Sequence, residues 1–400
     1  MHTIQFNLLY TLIVAMLVLF AGRAVVTRVA LLQRFSIPAP VVGGILIAVF
    51  LAVAEGLAGT RASFDMSFKD TLLLVFFSTM GLAADVRMLA KGGPKLLLFL
   101  LVCSVLIALQ NAVGLVAARA MDLHPAVGLL GGSISLSGGY GTGAAYATRF
   151  TETMNLHGAM ELAMASATGG LVIGGILAGP LAQFLIKHHR LAAAGTGSDA
   201  AGNDTPAADT VTAASLLNAL FVVFLCLAAG QRLAHLMERT GVILPGFLFC
   251  LLLGVLIRNA TSLAGTFRLQ GSSVDLLGNI SLSLFLVMAL MSTRLLDLAN
   301  VAGPLLFILV LQTVAMVAYA AFVTFRVMGS NYDAAILAAG HVGFGMGTTA
   351  VGLAVMKAVT ERSGASPMAF LLVPLVGAFF TDIMNALIIQ GYLTLPFFGF

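Results

Sequence analysis

Apolar runs about twenty residues long recur along this chain, separated by short clusters of charged and turn-forming residues. A bilayer's hydrocarbon core is ~30 Å thick and takes ~20 apolar residues per helix, so each run predicts a spanning helix. The runs fall at about 4–22, 38–59, 71–84, 96–118 and 162–186, then at 215–236, 242–257, 276–293, 304–325 and 367–391. A further, moderately apolar piece lies before the last run of each set, at about 126–148 and 333–356. Glycines interrupt both pieces: Gly139-Tyr140-Gly141-Thr142-Gly143 in the first, Gly343-Phe344-Gly345-Met346-Gly347 in the second. Lipid gives backbone amides no partner, so a break at membrane depth survives only where protein or a polar cavity satisfies it. Paired breaks at corresponding places in two halves point to a transport site.

The halves resemble each other at a shift of about 200 residues. Pro38 and Pro40 answer Pro245, Gly93-Pro94 answers Gly303-Pro304, and Met160 and Gly169 answer Met368 and Gly377. The polar stretch Arg190 to Asp209 reads as a flexible linker. The expected organisation is therefore a membrane repeat at 1–190, a linker at 191–214 and a second repeat at 215–400. Five spans per half is an odd number, so the second repeat lies upside down relative to the first. With the N-terminus outside, thirteen of the 20 Lys and Arg residues fall in inner loops and seven in outer loops. That bias predicts outside termini and a cytoplasmic linker, provided each glycine-rich piece enters and leaves on one side. The fold class expected is an all-α polytopic protein of about ten spans, with two re-entrant hairpins meeting near the midplane.

Composition narrows the function. Of 400 residues, 60% are hydrophobic and 9% are charged, against about 25% charged in a soluble domain. The net charge of +4 comes from basic residues scattered between apolar runs, which excludes a nucleic-acid face. Cys103, Cys226 and Cys250 all lie inside apolar runs and make neither a disulfide framework nor a metal set. No nucleophile elbow, phosphate loop or zinc signature occurs, so nothing points to an enzyme. A channel and an intramembrane enzyme remain the competing classes; Asp382 has no second carboxylate nearby on its helix to form a dyad.

Candidate chemistry gathers at the breaks. Ser133, Ser135 and Ser137 precede Gly138, and an extended backbone would point all three hydroxyls one way. Unwound tips expose carbonyls to a cation and helix N-termini to an anion. The second break supplies His341, Thr348 and Thr349. Asp382 sits inside the last run with Asn385 one turn on, and an intramembrane carboxylate is a functional candidate by default. Carboxylate, amide and hydroxyl oxygens suit a hard cation, which adds Asn111 and Asn279 to Asp382 and Asn385 as candidate cation ligands. Gln110 and Gln312 belong to the same class more weakly, and Arg149 and Glu161 read as interfacial. Substrate contacts are expected from Ser133, Ser135, Ser137, Gly138, Gly139, Tyr140, Gly141, Thr142, Gly143, His341, Gly343, Phe344, Gly345, Gly347, Thr348 and Thr349.

Three stretches together resemble the bacterial sodium/glutamate symporter family: Ser137 to Ala145, Ala338 to Gly345 and Phe380 to Leu387. Asn331-Tyr332-Asp333-Ala334-Ala335 and Phe64-Asp65-Met66-Ser67 agree, and the likeness covers essentially the whole chain. Tyr140 stands where the family pattern has His, and Ala350 where it has Pro. The resemblance implies two inverted halves, Na⁺ as coupling ion with no organic cofactor, L-glutamate as substrate, a homodimer in lipid and the bacterial inner membrane. Another carboxylate, such as a citrate-like acid, is the alternative cargo.

Overall fold

The computed structural model describes the chain except residues 1, 35–36, 59, 85–86, 193–210, 239–244, 265–268, 292–301 and 397–400. Most of the expected linker lies outside the described residues, as do Asp85, Arg239, Leu244, Arg268 and Arg294. In chain order the first half forms β1 (His2–Phe6), α1 (Leu8–Arg28), α2 (Ala30–Arg34), α3 (Ala39–Ala58), β2 (Thr60–Phe64), α4 (Lys69–Ala83), α5 (Arg87–Ala120), α6 (Pro125–Leu129), α7 (Gly139–Met154) and α8 (Ala159–His188). The second half forms α9 (Ala213–Glu238), α10 (Gly246–Ala264), α11 (Gly271–Met291), α12 (Ala302–Tyr319), α13 (Tyr332–Gly345), α14 (Thr349–Ser363), α15 (Pro367–Leu375) and α16 (Thr381–Leu393).

Seven helices among the described residues are long and apolar enough to cross a bilayer: α1, α3, α5, α8, α9, α11 and α12 with its continuation to Val327. The other three expected runs form shorter or interrupted helices. α4 has 15 residues, α10 has 19, and α15 passes into α16 through a widened π turn at Val376–Phe380, just after Pro374. α5 is broken near its start, where Gly93 takes φ 61° and ψ −162° before Pro94. Only glycine adopts that backbone freely, and proline has no amide to continue the ladder.

The chain is not wholly helical. β1 and β2 pair in parallel, His2 against Thr60 through Phe6 against Phe64, and the rings of Phe6 and Phe64 stack with centroids 5.0 Å apart. Parallel pairing needs a long crossover, here α1 to α3. The buried Thr11 Oγ1 accepts the Asp65 amide at 3.1 Å and ties the sheet to α1. The signal was the alternation in Thr3-Ile4-Gln5-Phe6, too short to register beside the apolar run that follows it.

The described chain divides into two compact units, each drawn from both halves of the sequence. The first takes Met1–Ala24, Ala39–Lys91 and Ser198–Ser292. Within it α3 packs on α11 and α10 packs on α4, with α4 also against α11. Small residues permit the closest approaches: a Cβ on Gly81 would lie 2.1 Å from the Leu251 carbonyl oxygen, and one on Gly254 would lie 2.6 Å from that of Ser78. Membrane helices associate through such close backbone contact. The second unit takes Val25–Pro38, Gly92–Gly197 and Thr293–Phe400 and contains both glycine-rich breaks. In it α8 packs against α7, α12, α13 and α14.

Candidate substrate and cation site

The first break is built on α5. Gly114 of α5 and Gly128 of α6 face each other so closely that a Cβ on either would meet the other's carbonyl oxygen at 2.1 to 2.2 Å. His124 caps α6, its Nδ1 accepting the Ala126 amide at 3.2 Å, with Pro125 at the first helical position. The helix widens into a π turn over Leu130–Ile134, broken at Gly132 (φ −98°, ψ −140°), and α7 starts at Gly139, whose φ is +64°. Ser133 to Ser137 are therefore wound, not extended. The Ser133 carbonyl accepts the amides of Ser137 and Gly138 at 3.2 and 2.9 Å. An extended segment would have left those groups without partners at depth.

Winding sends the three serines to different places. Ser133 Oγ lies 2.9 Å from Asn111 Oδ1 and 2.7 Å from Asn385 Oδ1, while Asn385 Nδ2 donates to the Ser133 carbonyl at 3.1 Å. The Ser133 amide also points at Asn111 Oδ1, at 3.3 Å. All three residues are completely buried. A hydroxyl has one proton, yet two amide oxygens face this one. Asn385 is held in this orientation by its Nδ2 bond to the Ser133 carbonyl, and Asn111 by the Ser133 amide, which leaves Asn111 Nδ2 buried without a partner among the described residues. The result is three side-chain oxygens converging on one proton, a donor set suited to a hard cation.

Ser137 repeats the theme. Its Oγ faces Gln110 Oε1 at 2.6 Å and the carbonyl of Gly345 at 3.2 Å, and Gln110 Nε2 donates to that same carbonyl at 2.8 Å. Gly345 ends α13, so the two breaks touch directly through Ser137 and Gly345. Gln312 of α12 donates to the Gln110 carbonyl at 2.7 Å, which locks α5 to α12. Ser135 is fully buried, and its hydroxyl has no partner among the described residues.

The second break is a tight helical hairpin. A Cβ on Gly343 would lie 2.4 Å from Gly352 Cα, which brings α13 against α14. Thr348 caps α14 through the Val351 amide at 3.4 Å. Met346 and Gly347 pack on α8, where a Cβ on Gly170 would meet the Met346 carbonyl at 2.4 Å. Contacts around the breaks are thus reciprocal. The first tip rests on α16 and the second on α8, the last helices of opposite halves, and Gly131 packs on Ile308 of α12 while Gly345 bonds Gln110 of α5. The chemistry is not symmetric: Ser133 meets an amide on α16, whereas Met346 packs on Gly170 and Gly174 of α8.

Other expected residues scatter. His341 is buried with Nδ1 2.9 Å from Thr324 Oγ1, edge-on to Phe99 and Tyr319, and does not reach the serines. The Tyr140 hydroxyl pairs with Thr168 of α8 at 3.1 Å. Thr142 is buried beside Gly138, Gly143 lies beside Ser135, and Thr349 is partly exposed next to Gly377. Asp382 opens α16 just after the π turn; it is partly exposed, and among the described residues its carboxylate has no hydrogen-bond or ion-pair partner. Asn279 is exposed on α11 in the other compact unit. Glu161, read from sequence as interfacial, is buried in the first turn of α8. Gln390 of α16, which takes a bond from Arg149, was not foreseen, because a lone amide near a helix end carries no pattern.

Long apolar helices, two helix breaks in contact and a cluster of under-protonated buried oxygens define a membrane transport protein. The family described as sodium/glutamate symporter matches residues 4–365. The chain is similar to the Sodium/glutamate symporter of Escherichia coli (strain K12), 47% identical over 398 residues covering 98% of both chains. It is 43% identical to that of Haemophilus influenzae over 391 residues, 96% of both chains. The chain belongs to the sodium/glutamate symporter family, whose members are transporters and not enzymes.

Proposed function

We propose that the protein is a secondary transporter that takes up L-glutamate with Na⁺ across the bacterial inner membrane. The observation that carries this reading is the convergence of Asn111, Ser133 and Asn385 oxygens on a single hydroxyl proton. A Na⁺ ion there supplies the positive charge that the missing protons do not. Asp382, one turn before Asn385, adds a carboxylate able to neutralise a second charge. Glutamate binds around the paired tips, with the α7 N-terminus at Gly139 to Gly141 attracting a carboxylate and Thr348 and Thr349 lining the second tip. Asn279 is exposed on α11 and takes no part in this proposal.

The same reading holds the chain to be two inverted repeats, 1–190 and 215–400, joined by a cytoplasmic linker, with both termini periplasmic and the hairpins re-entrant from opposite faces. Reciprocal contacts favour it: residues i to j and j to i are what a two-fold axis produces. Both tips and the oxygen cluster belong to one compact unit, as an elevator-like carrier within a homodimer requires. Energetics ask for more than one cation. Glutamate carries a net charge of −1, so an inside-negative potential opposes its entry by roughly 2.3 kcal/mol per 100 mV. One Na⁺ only cancels that charge, and a tenfold Na⁺ gradient then supplies ~1.4 kcal/mol. The test is labelled glutamate uptake into proteoliposomes with Na⁺ imposed or omitted, under a valinomycin-set potential. Accumulation that needs Na⁺ and rises when the interior is negative is expected. Uptake indifferent to Na⁺ refutes the coupling, and indifference to potential refutes a second cation.

A further inference from the structure

We propose that Arg149 is a specificity-determining residue that receives the side-chain carboxylate of the substrate. The inference rests on the glutamate reading above and assigns a role that reading leaves open. Arg149 lies on α7, half-buried, between the fully buried rings of Tyr146 and Phe150 in sequence. Among the described residues its side chain donates to an amide, Nη1 to Gln390 Oε1 at 3.3 Å. A guanidinium has five donors in a fork matched to a carboxylate, and among the described residues no carboxylate pairs with this one. Of the other described carboxylates in the same compact unit, Asp382 has no partner and does not pair with Arg149, and the rest are engaged or exposed. Asp333 takes the Ser366 hydroxyl, Asp122, Glu152 and Glu361 are exposed, and Glu161 is buried with its own partners. A cation set partly inside the span of a membrane protein is costly unless a pathway uses it.

Position supports the role. Side chains on a helix lean toward its N-terminus, so the guanidinium reaches back along α7 toward the tip at Gly139. Helix α16 supplies a ruler. Asn385 touches Ser133 and Gln390 touches Arg149; five residues of helix rise by about 7.5 Å and turn by about 140°, so the two contacts leave α16 on different faces and stand further apart than the rise. The carboxyl carbons of a five-carbon diacid stand about 5 Å apart, four bonds of ~1.5 Å in a zigzag. One carboxylate on the fork then leaves the α-carboxylate and ammonium on the side of Arg149 that faces the tips. Glutamine, with a neutral amide at that end, offers the fork one oxygen and no charge, where a carboxylate offers two oxygens and a full charge.

Arg149→Gln, with Arg149→Lys as the conservative variant, is measured in proteoliposomes for glutamate KM and kcat and for the Na⁺ half-saturation. Competition by glutamine is read alongside, and the heat stability of the purified protein is followed with Na⁺ alone and with Na⁺ plus glutamate. The expected result for Arg149→Gln is a KM raised about 10- to 100-fold, the loss of one charged hydrogen-bonded contact. The kcat, Na⁺ half-saturation and Na⁺-induced stabilisation should stay near wild type, with glutamine competition undiminished and partial recovery in Arg149→Lys. If transport is too weak to measure, loss of the glutamate-induced stabilisation with the Na⁺-induced one intact supports the proposal. An unchanged KM overturns it, as does equal loss of the Na⁺ and glutamate effects. A wild-type protein that takes up glutamate without Na⁺ defeats the underlying reading instead, and is told apart by needing no variant.

Discussion

Two neighbouring glycines give a sharp test of the cation cluster. A Cβ on Gly138 would lie 2.6 Å from Asn385 Nδ2, 2.6 Å from the Ile134 carbonyl oxygen and 2.7 Å from Thr142 Cβ. The carbonyl is backbone and cannot retreat, so the amide must. Ordinary contact begins at 3.4 Å, so Asn385 has to withdraw from 2.6 Å by most of an ångström. That move breaks its 3.1 Å bond to the Ser133 carbonyl and pulls Oδ1 out of the cluster. Overpacking of this kind costs about 1–3 kcal/mol of stability. Loss of the bond and one oxygen ligand, about 1–2 kcal/mol, should raise the Na⁺ half-saturation roughly 5- to 30-fold. Gly139 is the control. A Cβ there meets nothing within 4 Å, but its φ of +64° makes alanine strained, at about 1–2 kcal/mol. Gly139→Ala should therefore lower the melting temperature by a similar amount while moving the Na⁺ half-saturation less than about twofold, under ~0.4 kcal/mol. The assay is glutamate uptake against Na⁺ concentration, with thermal unfolding of the same purified variants. Equal shifts in Na⁺ half-saturation for the two alanines, or none for Gly138→Ala, would show that Asn385 does not serve the cation.

Asp382→Asn keeps the shape of the side chain and removes its charge, so it should weaken Na⁺ activation and the response to an inside-negative potential while expression holds; unchanged activation would make Asp382 structural. Cysteine at Thr349, partly exposed at the second tip, should react with small aqueous thiol reagents and be protected by Na⁺ with glutamate, whereas cysteine at the fully buried Ser135 should react slowly at rest. The native Cys103, Cys226 and Cys250 are buried and should add little background. Labelling of Thr349→Cys only by lipid-soluble reagents would count against an aqueous path to the tip.

Much of this protein was legible along the chain. Hydrophobic length located seven spanning helices among the described residues, because a bilayer accepts no exposed backbone and demands a fixed span, but it did not separate them from three shorter or interrupted ones. Glycine clusters located the breaks for the same reason, and the Phe380 to Leu387 stretch carried the family. Asn111 and Asn385 stood out as polar residues in apolar runs. What periodicity could not reveal was partnership. Asn385 and Ser133 are 252 positions apart and Gln110 and Gly345 are 235 apart, and no local pattern encodes such a contact. The serine triplet looked extended because alternation is a period-2 signal, yet the need to bond Ser137 and Gly138 amides at depth wound it into a turn. His341 is bonded through Nδ1 to Thr324 and packed among three aromatic rings, while its buried Nε2 has no partner among the described residues. Sequence fixes which groups a membrane span must satisfy; only the folded chain decides which distant residue satisfies each one, and which oxygens are left facing too few protons.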